Sequence, residues 1–130
     1  MKKVMTLIAI PFIGVAIAGA MPAWADGLTG PQGNAARSAE QYLSISGFSR
    51  VGLIKQLSSA AGDGYDVADA TVAVDSLNID WNMEAVKSAK QYLSISGFSC
   101  KGLTNQLSAS AGDSYTPSQA AYGAKQAGAC

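Results

Sequence analysis

The chain has 130 residues, with 9 Lys and Arg against 9 Asp and Glu, two Cys and no His. Without His it lacks the commonest metal ligand and the commonest general acid or base, and two Cys alone do not make a zinc site. At 14% charged and 48% hydrophobic residues it is neither a disordered chain nor a basic nucleic-acid-binding tail.

The first segment reads as an export signal. Lys2 and Lys3 form a short basic start, and an uncharged stretch runs from Val4 to Ala25. Ala23-Trp24-Ala25 offers a small-x-small cleavage site, with Asp26 after it. The layout predicts a signal peptide over residues 1–25, cut between Ala25 and Asp26. An uncleaved membrane anchor is the rival reading, since the stretch is long enough to span a bilayer. Pro11, Pro22 and the small-residue end speak against it. No Cys lies near the cut, the first being Cys100. The expected product is secreted or associated with the cell surface, with neither a lipid anchor nor a stable membrane anchor after cleavage.

After cleavage 7 basic and 9 acidic residues remain, a formal charge of −2. Asp26–Asp80 carries 7 acids and 3 bases, and Trp81–Cys130 carries 2 acids and 4 bases. A solvated surface accounts for such a split, and so do two lobes that attract each other or a partner.

The body of the chain is a duplication. Ser38–Tyr65 aligns with Ser88–Tyr115 without a gap, at a period of 50 residues and with 20 of 28 positions identical. The expected layout is a loose linker over 26–34, one repeat over 35–80 and a second over 81–130. Each repeat reads as three short helices, and no segment alternates like a strand, so the predicted fold class is all-α. Ala35, Ala39, Tyr42 and Leu43 share one face of the first helix, as do Ala85, Ala89, Tyr92 and Leu93. Gly47 and Gly97 are expected to supply a left-handed stop. Ser49 and Ser99 are expected to cap the second helix, with Phe48 over Leu53 and Phe98 over Leu103 as hydrophobic staples. Leu53, Leu57, Ala60 and Ala61 form the expected buried face of that helix. Gly62-Asp63-Gly64 and Gly112-Asp113-Ser114 should end it. The third helix should start at Asp66 or at Thr116-Pro117-Ser118-Gln119, a capping box with Pro at its first position. Val67, Ala70, Val74 and Leu77 should face inward. Asp80 should cap the next repeat's first helix and place Trp81 at the seam.

Cys100 and Cys130 are expected to pair, because an exported chain meets an oxidising compartment. Closing that loop is worth about 3–4 kcal/mol on the chain-entropy model. Subtracting the period puts Arg50 under Cys100 and Asp80 under Cys130. An Arg50–Asp80 ion pair is therefore expected where the second repeat has its disulfide. A disulfide between two chains is the alternative, and no CxxC spacing marks a redox-active pair.

Nothing in the chain points to a resident cofactor, metal or catalytic residue. Asp63, Asp66 and Asp69 lack the spacing and closing Glu of a calcium loop. The many Ser have no His to activate them. A DNA-reading helix would have to draw on Arg50, Lys55, Lys101 and Asn105, and a net negative exported protein is a poor phosphate binder. No nucleic acid is expected as a partner. A binding module fits best. Its candidate surface is the repeated polar set Gln41 and Gln91, Ser44 and Ser94, Gln56 and Gln106, with Ser46 and Ser96 near the turn. Two such patches could grip a repetitive partner with avidity.

The stretches SAKQYLSISGFS, KGLTNQLS and AGDSYTPSQAAY, with the link LNIDWNMEAVKSAKQYL, resemble the Ltp-like helix-turn-helix repeat. That repeat occurs in host-cell-surface-exposed lipoproteins of Gram-positive bacteria and their phages. The resemblance covers both repeats, roughly Ala35–Leu77 and Asn82–Gly128. It implies a prophage-encoded superinfection exclusion protein, which blocks DNA entry by a second phage through a protein of the injection apparatus. It implies no catalytic residues. The Ala-Trp-Ala site without a lipid-bearing Cys departs from the lipoprotein form and puts retention at the site of DNA entry in question. The other reading is a secreted host module that binds envelope glycan or a host surface protein.

Overall fold

A computed structural model of the chain describes residues 25–130, so the expected signal segment lies, apart from Ala25, outside the described residues. Among the described residues there are six α-helices and no strand. They are α1 Gly30–Ile45, α2 Arg50–Ser58, α3 Val67–Ser76, α4 Trp81–Ile95, α5 Cys100–Ser108 and α6 Pro117–Gln126. The first three make one repeat and the last three the other. The second and third helices of each repeat recur at an offset of 50 residues.

Capping chemistry sets most boundaries. The hydroxyls of Ser49 and Ser99 each accept from the backbone N–H three residues on, at 2.9 Å, which satisfies one of the orphan donors of a helix start. Thr116 and Gln119 form the expected capping box. Asp80 caps α4 by accepting from Met83 N at 3.2 Å. Asp66 precedes α3 but makes no side-chain cap bond.

The segment 26–34, expected to be loose, is helical from Gly30 onward. Thr29 Oγ1 accepts from Gln32 N at 3.3 Å and Gln32 Oε1 accepts from Thr29 N at 3.1 Å. This is the same capping box as at Thr116, with Pro31 in the first turn.

Within each repeat the first helix lies along the third and the second braces both. Leu53, Leu57, Ala39, Ala70 and Val74 form one core, joined by Phe48 and Tyr42. Leu103, Leu107, Tyr115, Ala85, Ala89, Ala120 and Ala124 form the other. Each buried Leu contributes about 1.5–3 kcal/mol relative to exposure. The Ala-rich faces add little area but let the helices come close. Ala60 and Ala61 are not in this core. They lie beyond Ser58, the end of α2, and are exposed, because the chain turns at Ser59. Val67, expected to face inward, is 62% exposed, and Ala73 takes the inward place instead. Trp81 begins α4 yet packs on the first repeat's core, at the seam.

Two expectations about turns and pairs are corrected. Gly47 and Gly97 have no positive φ; left-handed backbone falls at Gly64 and Ser114 and at Asn78 and Gly128, two pairs related by the period. Gly47 has a different reason to be glycine. A Cβ there would sit 2.7 Å from Ser88 N and 2.8 Å from Glu84 O, so the turn after α1 presses directly on α4. Arg50 pairs with Asp75 rather than with Asp80, in a two-pronged contact at 2.7 and 2.8 Å. Asp75 stands on α3 within reach, whereas Asp80 is committed to its cap. The Cys100–Cys130 disulfide is formed within the chain, with Cα atoms 4.7 Å apart, which decides against the interchain alternative.

Candidate functional site

The two repeats meet where the turn Ser46–Ser49 lands on α4. Gln91 Oε1 accepts from Ser46 Oγ at 3.1 Å and from Gly47 N at 3.2 Å. Glu84 Oε1 accepts from Phe48 N at 3.2 Å. The hydroxyl of Ser49 donates to the Asp113 carbonyl. Lys87 Nζ donates to Leu43 O at 2.6 Å, where the carbonyl end of α1 welcomes a cation. Lys87 also pairs with Glu84 at 3.2 Å. The contact is polar and satisfied almost throughout. It leaves Ser49 only 2% exposed.

Beside this contact runs an open cleft of about 460 Å³, lined by Phe48, Ser49, Lys55, Gln56, Gly62 and Asp113 among others. A smaller hollow of about 140 Å³ adjoins it, lined by Gly47, Gln91 and Ile95 among others. The larger cleft offers one cation, one carboxyl, amide and hydroxyl groups and one aromatic ring. Such a mixture suits a peptide segment better than a bond-making step. Burial pushes the Asp113 carboxyl above the usual carboxylate range, while the Tyr92 hydroxyl acts in the opposite direction. Oδ2 of Asp113 is buried without a hydrogen-bond partner among the described residues. Among the described residues no group of three or more Cys, Asp or Glu is placed to hold a metal ion.

The polar residues singled out from the sequence divide into four kinds. Gln41 is exposed and its side chain is free to bind. Ser44 and Ser94 are exposed but donate to the carbonyls of Gln41 and Gln91, both at 2.6 Å. Gln56 and Gln106 reach the hydroxyls of Tyr42 and Tyr92 at 3.4 and 3.3 Å, bracing α2 and α5 inside their own repeats. Gln91 is taken up by the Ser46–Gly47 turn. The two patches are therefore not equivalent surfaces: one is open and the other is half used inside the molecule. No motif or spacing marks Glu84, Lys87 and Asp113 as junction residues. Only the difference between their surroundings and those of Asn34, Arg37 and Asp63 identifies them.

The comparisons with known proteins agree with this architecture. The family model described as host cell surface-exposed lipoprotein matches residues 32–77 and again 80–126. Among solved structures the chain is similar to Ltp, a superinfection exclusion protein from the Streptococcus thermophilus temperate phage TP-J34, at 30% identity and a TM-score of 0.68. The match covers 75% of this chain and 96% of that one. No curated protein sequence matches. Two consecutive matches over most of the chain, each spanning one three-helix repeat, place it: the protein belongs to the host cell surface-exposed lipoprotein family.

Proposed function

We propose that the protein is a non-enzymatic binding protein of superinfection exclusion, which acts outside the cytoplasm and blocks DNA entry by a second phage by binding a protein of the injection apparatus. The observation that carries this reading is the likeness to the phage TP-J34 exclusion protein over nearly the whole of its solved chain. The cleft supports it, since its mixed polar lining suits a protein segment. Both cysteines are bonded to each other, which leaves neither thiol for a lipid. This supports a secreted or loosely surface-held form rather than the anchored form that the family's description names.

The test is a phage challenge of cells expressing the full chain, scoring adsorption and DNA entry separately. Normal adsorption with reduced DNA entry is the expected result. Ala61→Trp, which fills the cleft from an exposed turn, should restore entry while the protein is still exported and folded. Unchanged entry across a broad phage panel would overturn the proposal and put a secreted envelope-binding module in its place.

A further inference from the structure

The junction between the repeats has an unused copy of each of its halves. The turn Ser96-Gly97-Phe98-Ser99 repeats Ser46-Gly47-Phe48-Ser49 residue for residue. It is also held in the same shape. Ser46 and Ser96 have φ −149° and −154° with ψ 161° in both, and Ser49 and Ser99 have ψ 162° and 160°. Phe48 stacks edge-on to Tyr42 at 5.8 Å and Phe98 to Tyr92 at 5.7 Å. Yet beyond the packing of Phe98 on its own repeat's core, the second turn meets no other repeat. A Cβ on Gly97 meets no atom within 4 Å, and Ser96, Gly97 and Ser99 are exposed.

The receiving half is duplicated as well. At the positions of Glu84, Lys87, Ser88 and Gln91 on α4, helix α1 carries Asn34, Arg37, Ser38 and Gln41. The acceptor at the first position, the cation at the second and the amide at the fourth are all kept. Arg37 reaches Asn34 Oδ1 at 2.8 Å, three residues back, as Lys87 reaches Glu84. Asn34, Arg37 and Gln41 are exposed, whereas Glu84, Lys87 and Gln91 are half-buried by the docked turn. The carbonyl of Asp63 stands where that of Asp113 accepts Ser49.

We propose that a second copy of this chain docks here: the Ser96–Ser99 turn of one molecule lands on the Asn34–Gln41 face of the next, repeating between molecules the contact that joins the repeats within one. Charge favours this pairing, since the repeat offering the turn carries more bases than acids and the repeat receiving it more acids than bases. The contact is head-to-tail, so it adds copies in an open series unless the rotation closes a ring. The free turn is already in its docked shape, which lowers the ordering cost of association. The contact is small and polar, so association is weak and shows at high local concentration.

Sedimentation of the exported chain with its disulfide intact, from about 1 μM to about 1 mM, should show an average mass that climbs above the monomer and continues past the dimer. Gly97→Trp, at a position with open space around it, and Gln41→Trp, on the exposed face, should each abolish the climb while circular dichroism stays unchanged. Mixed in equal amounts, the two variants retain one intact half each and should form a dimer that grows no further. A wild-type chain that stays monomeric throughout would overturn the proposal. So would association that Gly97→Trp leaves in place, or a mixture in which no dimer forms.

Discussion

Ser49 and Ser99 sit in equivalent four-residue turns, cap the equivalent helices α2 and α5 with the same 2.9 Å bond and differ in what surrounds them. Ser49 is buried against Asp113, and Ser99 faces open space. Tyr65 and Tyr115 show the reverse. Tyr115 in the second repeat is 2% exposed, with its hydroxyl 2.7 Å from Ser88 and donating to Glu84 O at 2.9 Å. Tyr65 in the first is half-buried and stands 3.4 Å from Ser38. Each repeat supplies one half of the junction, so one loses its turn to it and the other loses its helix face. Local sequence sets the shape of a turn or cap, and position in the array sets its burial.

That contrast can be broken in graded steps. The largest effect belongs to the feature that only the second repeat has. Cys100→Ser with Cys130→Ser should lower unfolding stability by about 3–4 kcal/mol, read from denaturant midpoints with and without reductant. Reductant should have no effect on the double variant.

Next comes the turn itself. Gly47→Ala drives a methyl into Ser88 and Glu84 and should cost about 1–3 kcal/mol. Gly97→Ala, with nothing near it, should stay within about 0.5 kcal/mol. Equal losses at the two sites would mean that the junction does not hold in solution.

The tyrosines give a smaller contrast. Tyr115→Phe leaves a buried carbonyl and hydroxyl short of a partner and should cost about 1–2 kcal/mol. Tyr65→Phe should cost less than half as much, both measured by thermal unfolding.

The smallest effects concern two carboxyls shifted in opposite directions. Asp113 is raised by burial, so its contribution is fully present below its unfolded value and is lost as pH rises through its folded one. Asp113→Asn should therefore gain on the wild type as pH rises from acid to neutral. Asp75 is lowered by its hydrogen bond to Arg50, so its contribution is present at neutral pH and lost as pH falls through the folded value. Both partners are largely exposed, so after solvent screening Asp75→Asn should cost no more than about 1 kcal/mol at pH 7 and nothing in acid. Melting curves of both variants across that range check the signs.

Much of this molecule was legible as a string of letters. Helix order, the caps at Ser49, Ser99, Thr116 and Asp80, the staples and the disulfide follow from local rules that a repeat states twice. Thr29 was legible too, since Thr-Gly-Pro-Gln carries the capping-box spacing of Thr-Pro-Ser-Gln, but the glycines around it disguised a helix start as a linker. Other features depend on neighbours distant in sequence. Gly47 is glycine because α4 passes within reach, and its twin Gly97 is glycine with no such demand in the monomer. Arg50 chose Asp75 because Asp80 had a backbone donor of its own to satisfy. Of the residues named as binding surface, Gln91 was spent inside the molecule. No periodicity within one repeat could reveal that, since it depends on how the two repeats are set against each other.

Cys130 is bonded to Cys100 in the first turn of α5, and Ala127 and Ala129 just before it pack on the second repeat's core. A protease must straighten a stretch of backbone to fit it into its active site, and loosely held segments are where it succeeds. The segment that follows α6 cannot straighten until the sulfur bridge is reduced. In an oxidising medium that makes it a poor site for cleavage, and it couples the second repeat's resistance to digestion to redox conditions.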